Sequence, residues 1–527
     1  MSARIDIRRG ARLQSLRSAA RRSVACIALV AASGPALPAE ADIEQVRAAT
    51  KRLVGLLVEQ GVITKEKADA LLRDLVPPPA PATAAAAPRG AASAPGTVRV
   101  PYVPEFVRKE IKEEVRAEIA AQAAREGWAG PGAVPAWTRG IEWDGDMRFR
   151  VQADRFADGN APAIDVAATN RNRSLTLLNT TEDRERLRVR ARAGLTATLD
   201  ENWGAGIRLA TGSATDPVST NQTLGTYNTR YTVTFDRAYA RFHLDDVGSV
   251  VAGRFGNPWY GTDLVWANDL TFDGIAAQWT PRLGSRARGF LTLGILPIQE
   301  VELSSSDKWL FAIQAGAEVP GTAQGVGGRA GLAYYHYKNI VGKTSPAGSS
   351  VNEFTAPAFA QKGNTYYNIS SDPTRPLLGL ASDYHLVNLT GQADFPGPGG
   401  RRIWVIGDFV RNIGFNRTEV SQRVGADVEP RVNGYALRVG FGHPEVRARH
   451  DWQVFMGYKR VERDAVLDAF TDSDFHLGGT DARGYMLGGS YGLGRNAAAS
   501  LRIFSADAIN GPPLSIDVFQ LDLNLRF

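Results

Sequence analysis

Between residues 184 and 192 every second side chain is an arginine: Arg184, Arg186, Arg188, Arg190 and Arg192, separated by Glu185, Leu187, Val189 and Ala191. In an extended strand that spacing sets the five guanidiniums on one face, roughly 7 Å apart. Neighbours at that separation repel by roughly 0.6 to 2.4 kcal/mol for effective dielectrics between 80 and 20, so the row needs water or counter-charge. The opposite face, Leu187, Val189, Ala191, Ala193, Leu195, Ala197 and Leu199, is apolar. Turning the arginines toward hydrocarbon would cost about 2 to 4 kcal/mol each near a bilayer midplane. In a membrane they therefore line a wet interior, where a row of one sign attracts anions.

The preceding strand adds Glu142, Asp144, Asp146 and Asp154 with Arg148 and Arg150 to the same wall, so the two strands sum to seven basic groups against four acidic. Arg208, Arg237, Arg241 and Arg254 extend the basic arc along the next strands. A salt-bridge ladder that only stiffens the wall is the alternative reading. The segment Gly253-Arg-Phe-Gly-Asn-Pro-Trp259, followed by Asp263 through Gly274, mixes Trp, Pro and Asp in a way that is odd for a solvated loop. It is the third long connection, and an inward fold would carry Asp263, Asp269 and Asp273 to a constriction facing the arginine arc. Opposed charges there set up a transverse field, and a basic ring favours anions. Packing on the barrel rim is the alternative.

Nothing comparable points to catalysis. The six histidines, His243, His336, His385, His443, His450 and His476, lack metal-ligand spacing. Asp472 and Asp474 near His476 read as a solvated outer-loop cluster, and Gly-Ser-Tyr at 489 to 491 sits in a strand pattern rather than a nucleophile elbow. No enzyme, cofactor or metal site is expected.

These residues must be held by strands. Alternation with a period of two recurs over 141–156, 185–199, 203–212, 234–244, 248–255, 271–280, 287–296, 309–319, 329–338, 384–395, 402–412, 432–442, 451–462, 482–493, 497–505 and 516–527. The connections alternate long and short, as in outer-membrane barrels with outer loops and periplasmic turns. An even strand count leaves both ends of the barrel on the short-turn side. The fold expected is all-β, a transmembrane antiparallel β-barrel of about 16 strands over 138–527, with a small N-terminal helical extension in the periplasm. A secreted sandwich would not show one wet and one greasy face over so many strands. The last strand alternates from Phe519 to the terminal aromatic Phe527, an ending similar to the signal read by barrel assembly machinery.

At the other end, a basic start and the apolar run Val24–Ala32 precede Ala39-Glu40-Ala41, so residues 1–41 are expected to be a cleaved signal peptide. The run is too short to span a bilayer, and Cys26, the single cysteine, would leave with it. The net charge of +6 also shrinks: seven arginines, Asp6 and Glu40 lie in the signal, leaving 61 − 7 = 54 basic and 55 − 2 = 53 acidic groups. That near-balance removes the case for a nucleic-acid partner. Residues 42–76 have the pattern of a helical hairpin, 77–100 of a Pro/Ala-rich linker, and 101–128 of a helix with an imperfect coiled-coil seam at Val107, Ile111, Val115 and Ile119. Such a helix would join subunits, or remain a solvated charged helix; the extension could also bind peptidoglycan.

Several motifs in order carry a family resemblance: Trp203-Gly-Ala-Gly-Ile-Arg-Leu-Ala-Thr-Gly212, Ser219-Thr-Asn-Gln-Thr-Leu-Gly225, the Asn257-Pro-Trp to Phe272-Asp-Gly stretch, Val461-Glu-Arg-Asp-Ala-Val-Leu467, Thr471-Asp-Ser-Asp-Phe475 and Gly479-Thr-Asp-Ala-Arg-Gly484. Together they resemble the putative porin family of Gram-negative bacteria over most of 140–527. The resemblance implies an outer-membrane diffusion channel, and no solute or binding residue is carried over from it. The expected activity is passive passage of small hydrophilic solutes or ions with a mild anion preference, by a homotrimer in contact with outer-membrane lipid. An envelope tether or adhesin with a plugged barrel is the alternative.

Overall fold

A computed structural model describes residues 140–527 apart from 163, 166–176, 303, 323 and 373. The expected signal peptide (1–41), hairpin (42–76), linker (77–100) and helix (101–128) lie outside the described residues.

Alternation between two solvents dictates the rest. Sixteen long strands follow one another: β1 (Ile141–Phe156), β2 (Arg184–Thr198), β3 (Trp203–Thr211), β4 (Val233–Leu244), β5 (Gly248–Gly256), β6 (Thr271–Trp279), β7 (Arg288–Gln299), β8 (Lys308–Val319), β9 (Gly327–Lys338), β10 (His385–Pro396), β11 (Arg402–Asn412), β12 (Asn433–Gly442), β13 (Trp452–Val461), β14 (Ala482–Gly494), β15 (Ala497–Ala508) and β16 (Ser515–Arg526). Each is antiparallel to its neighbours in sequence, and β16 returns to β1 from Asp146↔Arg526 to Phe156↔Ile516, which closes the barrel. Closure leaves no unpaired edge. All sixteen expected strands are present. The largest differences are at β7 and β15, which run three residues further than the pattern suggested. In β7 the chain passes Pro297, beyond the expected end at 296, through a register shift between Pro297 and Gln299 that accommodates the missing donor.

The outward face is the greasy one. Leu187 is 47% exposed and Leu332 56%, while Arg150, on the alternate face of its strand, is 0% exposed. Aromatic side chains mark both margins of this band: Trp143, Trp203 and Trp279 near the short turns, Tyr334, Tyr435 and Tyr485 near the long loops. Such girdles are usual where a barrel meets lipid headgroups.

The interior is not an empty cylinder. The loop between β5 and β6 (L3, 257–270), the loop between β9 and β10 (L5, 339–384) and the loop between β13 and β14 (L7, 462–481) turn inward. Trp259, Leu264, Trp266, Ile340, Leu380 and Val466 pack there against Phe255, Leu296, Leu310, Tyr335 and Val410 of the wall. Trp266 meets Phe272 and Tyr335 edge-on, with ring centroids 5.1 and 5.2 Å apart. Each fully buried large apolar side chain contributes about 1.5–3 kcal/mol, enough to hold the loops in place. Where L3 leaves the wall, Gly253 and Gly274 face each other at φ of 114° and 126°. A Cβ on Gly274 would lie 2.3 Å from the carbonyl oxygen of Ile295, so the local bend requires glycine.

Candidate functional site

L3 crosses the interior from one wall to the other. Tyr260 exchanges two hydrogen bonds with Gln314 on β8: its N–H donates to the amide oxygen at 2.8 Å, and its carbonyl accepts from the amide nitrogen at 2.6 Å. The Thr262 hydroxyl donates to Asp408 on β11 at 2.6 Å. Asp263 sits between Arg438 on β12 (3.1 Å) and Lys459 on β13 (3.4 Å). The Ala267 N–H donates to the Phe470 carbonyl of L7 at 2.8 Å. Asp269 then reaches the arginine row, 3.3 Å from Arg190 and 3.2 Å from Arg192, and accepts a further bond from the Thr220 hydroxyl at 2.8 Å.

Burial alone would raise both loop carboxyls, but at Asp263 the charges of Lys459 and Arg438 outweigh it and hold the group at about 2. At Asp269 the same contest, against Arg190 and Arg192, leaves the carboxyl below its ordinary value. Both are therefore anions at neutral pH.

The arginine face is densely cross-linked. Arg190 and Arg192 share Asp146, at 2.7 and 2.6 Å; Arg186 meets Asp154 at 2.6 Å; Arg208 pairs with Asp236. Arg150 forms a two-point contact with Asp522 of β16 and a third bond to Asp474 of L7 at 3.0 Å. Apart from the exposed Arg184 at the strand end, four partly buried members differ. Among the described residues Arg148, Arg188, Arg237 and Arg241 have no carboxylate within 4.0 Å. Arg148 donates to the Asn221 amide at 2.7 Å and Arg188 to the Gln152 amide at 3.4 Å, while Arg241 lies 5.5 Å from the centre of the Tyr239 ring. The Nε atoms of all four are enclosed without a partner.

One cavity borders the contact between L3 and the wall, and a second lies apart from L3. The first, of about 520 Å³, lies on the long-loop side, lined by Asp216, Thr220, Asp236, Asp269, Lys308 and Phe470 among others. The other, of about 610 Å³, lies on the short-turn side and is lined by Arg148, Arg447, Arg502, Arg526, Ser490 and Asp522 among others.

A model of the family described as putative porin matches residues 47–527. The chain belongs to that family. It is an outer-membrane channel, and its barrel also resembles solved outer-membrane proteins. OprB of Pseudomonas putida is 12% identical, with a TM-score of 0.44 over 74% of this chain and 94% of that one. DcaP of Acinetobacter baumannii, an outer membrane channel, is 9% identical, with a TM-score of 0.40 over 73% and 97%. A loop-deletion mutant of OmpT of Vibrio cholerae is 10% identical, with a TM-score of 0.39 over 74% and 100%. Comparison with curated proteins gives no match.

Within the porin barrel the residues singled out in sequence separate into groups. Arg148, Arg150, Arg186, Arg188, Arg190, Arg192, Arg208, Arg237 and Arg241 all lie on the inward register of β1 to β4. Asp263 and Asp269 are on the inward loop but reach different parts of the wall, β12 and β13 for Asp263 and β2 for Asp269, and Asp269 touches the arginines directly instead of facing them across a gap. Asp273 does not belong with them. It is the third residue of β6, 53% exposed at its side chain and paired with Arg254 across the β5–β6 ladder at 2.7 Å, because L3 ends at Leu270. The terminal Phe527 exchanges two backbone hydrogen bonds with Gly145, and its ring occupies the space a Cβ at Gly145 would need.

The sequence reading missed L7. Asp472 and Asp474, taken for a solvated cluster, are enclosed: Asp474 lies 3.0 Å from both Arg150 and Arg502, and Asp472 lies 3.7 Å from Lys459. Arg150 and Arg502 hold the Asp474 carboxyl well below its usual range against the opposing effect of burial. His476 turns away, its Nε2 3.2 Å from the Leu514 carbonyl. No group of metal-ligating side chains forms among the described residues. The acidic spacing in Thr471-Asp-Ser-Asp-Phe475 was the available signal, since two carboxylates flanked by Phe470 and Phe475 are poorly placed for bulk water.

Proposed function

We propose that this channel passes small hydrophilic solutes by passive diffusion with a mild preference for anions, along the strip between L3 and the arginine face. The observation that carries the reading is the set Arg148, Arg188, Arg237 and Arg241. Asp263, Asp269, Asp472 and Asp474 are each engaged by another base, yet among the described residues these four guanidiniums have no acidic partner within 4.0 Å. A cation entering the strip meets unbalanced positive potential; an anion meets guanidiniums able to replace part of its water. Asp263 and Asp269 set the width and the direction of the field there. The working form proposed is a homotrimer inserted by the barrel assembly machinery through the Phe527 ending. Its N-terminal extension would lie in the periplasm, where it could contact peptidoglycan. The test is the reversal potential of the purified protein in a planar bilayer under a salt gradient. Wild type should be anion-biased, and the double variant Arg148→Gln with Arg188→Gln should shift toward cations. An unchanged reversal potential defeats the assignment.

The dry core formed by L3, L5 and L7 favours a second reading, an envelope tether or adhesin with a plugged barrel. Deleting residues 42–126 distinguishes them: a channel still conducts, while a tether loses its envelope phenotype.

A further inference from the structure

The outward face of β11 to β14 departs from the greasy pattern at its long-loop margin. Arg411, Arg460 and Arg483 occupy outward register positions there, at the ends of their strands. Arg460 is cross-strand partner to Arg483 on one side and to Tyr435 on the other, so two guanidiniums start from backbones one strand spacing apart, about 5 Å. Tyr435 lies level with Arg460, and Tyr458 and Tyr485 follow one step toward the middle of the barrel, with ring centroids 6.1 Å apart for Tyr435 and Tyr458 and 5.1 Å for Tyr458 and Tyr485. Leu437 lies level with Tyr458, and Met456 and Leu487 one step below, all exposed. Arg460 has Glu462 at 3.3 Å, and Asp507 stands opposite Arg483 on β15, but Arg411 and Arg483 are exposed and no carboxylate lies within 4.0 Å of either guanidinium among the described residues. Elsewhere on the same margin the basic group is balanced, as Arg155 is by Asp183 and Glu185.

We propose that Arg411, Arg460 and Arg483 bind the phosphate groups of a phosphorylated glycolipid in the outer leaflet, with the tyrosines at the headgroup level and the leucines against its acyl chains. Three chemistries stack in the order that such a lipid presents them. Guanidiniums bind phosphate oxygens in pairs of charge-assisted hydrogen bonds, aromatic side chains favour the interface between headgroup and hydrocarbon, and the apolar band matches the tails. The directly opposed Arg460 and Arg483 repel each other, and a dianionic phosphate between them removes that repulsion.

The test is native mass spectrometry of the full-length protein in detergent with diphosphorylated lipid A as the probe. The expected result is retained lipid A on the wild-type chain. Occupancy should fall at least about tenfold in the triple variant Arg411→Gln, Arg460→Gln, Arg483→Gln, as expected for the loss of charge-assisted bonds. Lipid A stripped of both phosphates should bind wild type no better than intact lipid binds the triple variant, an arm that needs no variant to fold. Inorganic phosphate at the same concentration should not displace the lipid. Equal binding of intact and stripped lipid, equal binding by wild type and variant, or displacement by inorganic phosphate alone would each overturn the proposal.

Discussion

Replacing Asp269 by Asn keeps the shape of the L3 tip and its bond to Thr220 but removes one negative charge from a carboxylate 3.3 and 3.2 Å from Arg190 and Arg192. Because Asp269 is ionised at neutral pH, the change adds one full positive charge to the constriction. For a monovalent solute passing about 8 Å away, that charge is worth about 0.5 kcal/mol at a dielectric of 80 and about 1 kcal/mol at 40. Anion permeability should therefore rise and cation permeability fall by roughly two- to sixfold each, so that their ratio rises by about six- to thirtyfold, and less above about 0.1 M salt, where the Debye length is about 10 Å. Loss of the two ion pairs also loosens the L3 tip, so conductance should increase. The assay is reversal potential and single-channel conductance in planar bilayers at low salt, with Asp273→Asn as the comparison. Asp273 lies on β6, paired with Arg254, and its neutralisation should leave selectivity near wild type. If both variants shift selectivity equally, or if Asp269→Asn shifts it toward cations, the placement of the conducting strip along the arginine face is wrong.

Three further outcomes follow from single contacts. Burial pushes the Asp468 carboxyl up to about 7 against the opposing bond from the Tyr366 hydroxyl. A group with a raised folded pKa binds more protons folded than unfolded, so its contribution weakens as pH rises from about 4 to 7. His476, lowered to about 3 by burial, acts in the opposite sense over much of that window. The difference between Asp468→Asn and wild type isolates the carboxyl: hydrogen exchange in L7 should become relatively slower in the variant as pH rises. Gly145→Val should collide with the Phe527 ring and destabilise closure by about 1–3 kcal/mol, as overpacking does, read as a lower temperature for loss of the compact band on gels. Gly274→Ala, at φ of 126°, should destabilise the β5–β6 bend by at least about 1 kcal/mol and raise exchange in L3.

The strands were legible because two solvents impose a period of two on each of them, and that rule acts on neighbours in sequence. Leu187 outward and Arg188 inward follow from it without any knowledge of register. The direction of the arginine row followed from the cost of burying charge in hydrocarbon. Contacts set by closure were beyond such local rules. Arg150 meets Asp474 across 324 positions of the chain and Asp522 across 372, and no periodicity connects them. Asp273 was assigned to the constriction although the expected strand already began at 271, because Phe272-Asp-Gly continues the polar and aromatic mixture of L3; the ladder with β5 sets it on the wall opposite Arg254. The mixture of Trp, Pro and Asp in L3 was noticed as odd, but the partners of Leu264, Val265 and Trp266 in L5 and L7 lie far along the chain, so the dry half of the interior was not foreseen.

The most direct measurement is the current carried by single molecules of the folded, purified protein in a planar bilayer with unequal salt on the two sides. The account predicts stepwise conductance and a reversal potential of the sign given by anions moving down their gradient. A folded barrel that never conducts, or one whose reversal potential has the cation sign, would contradict it.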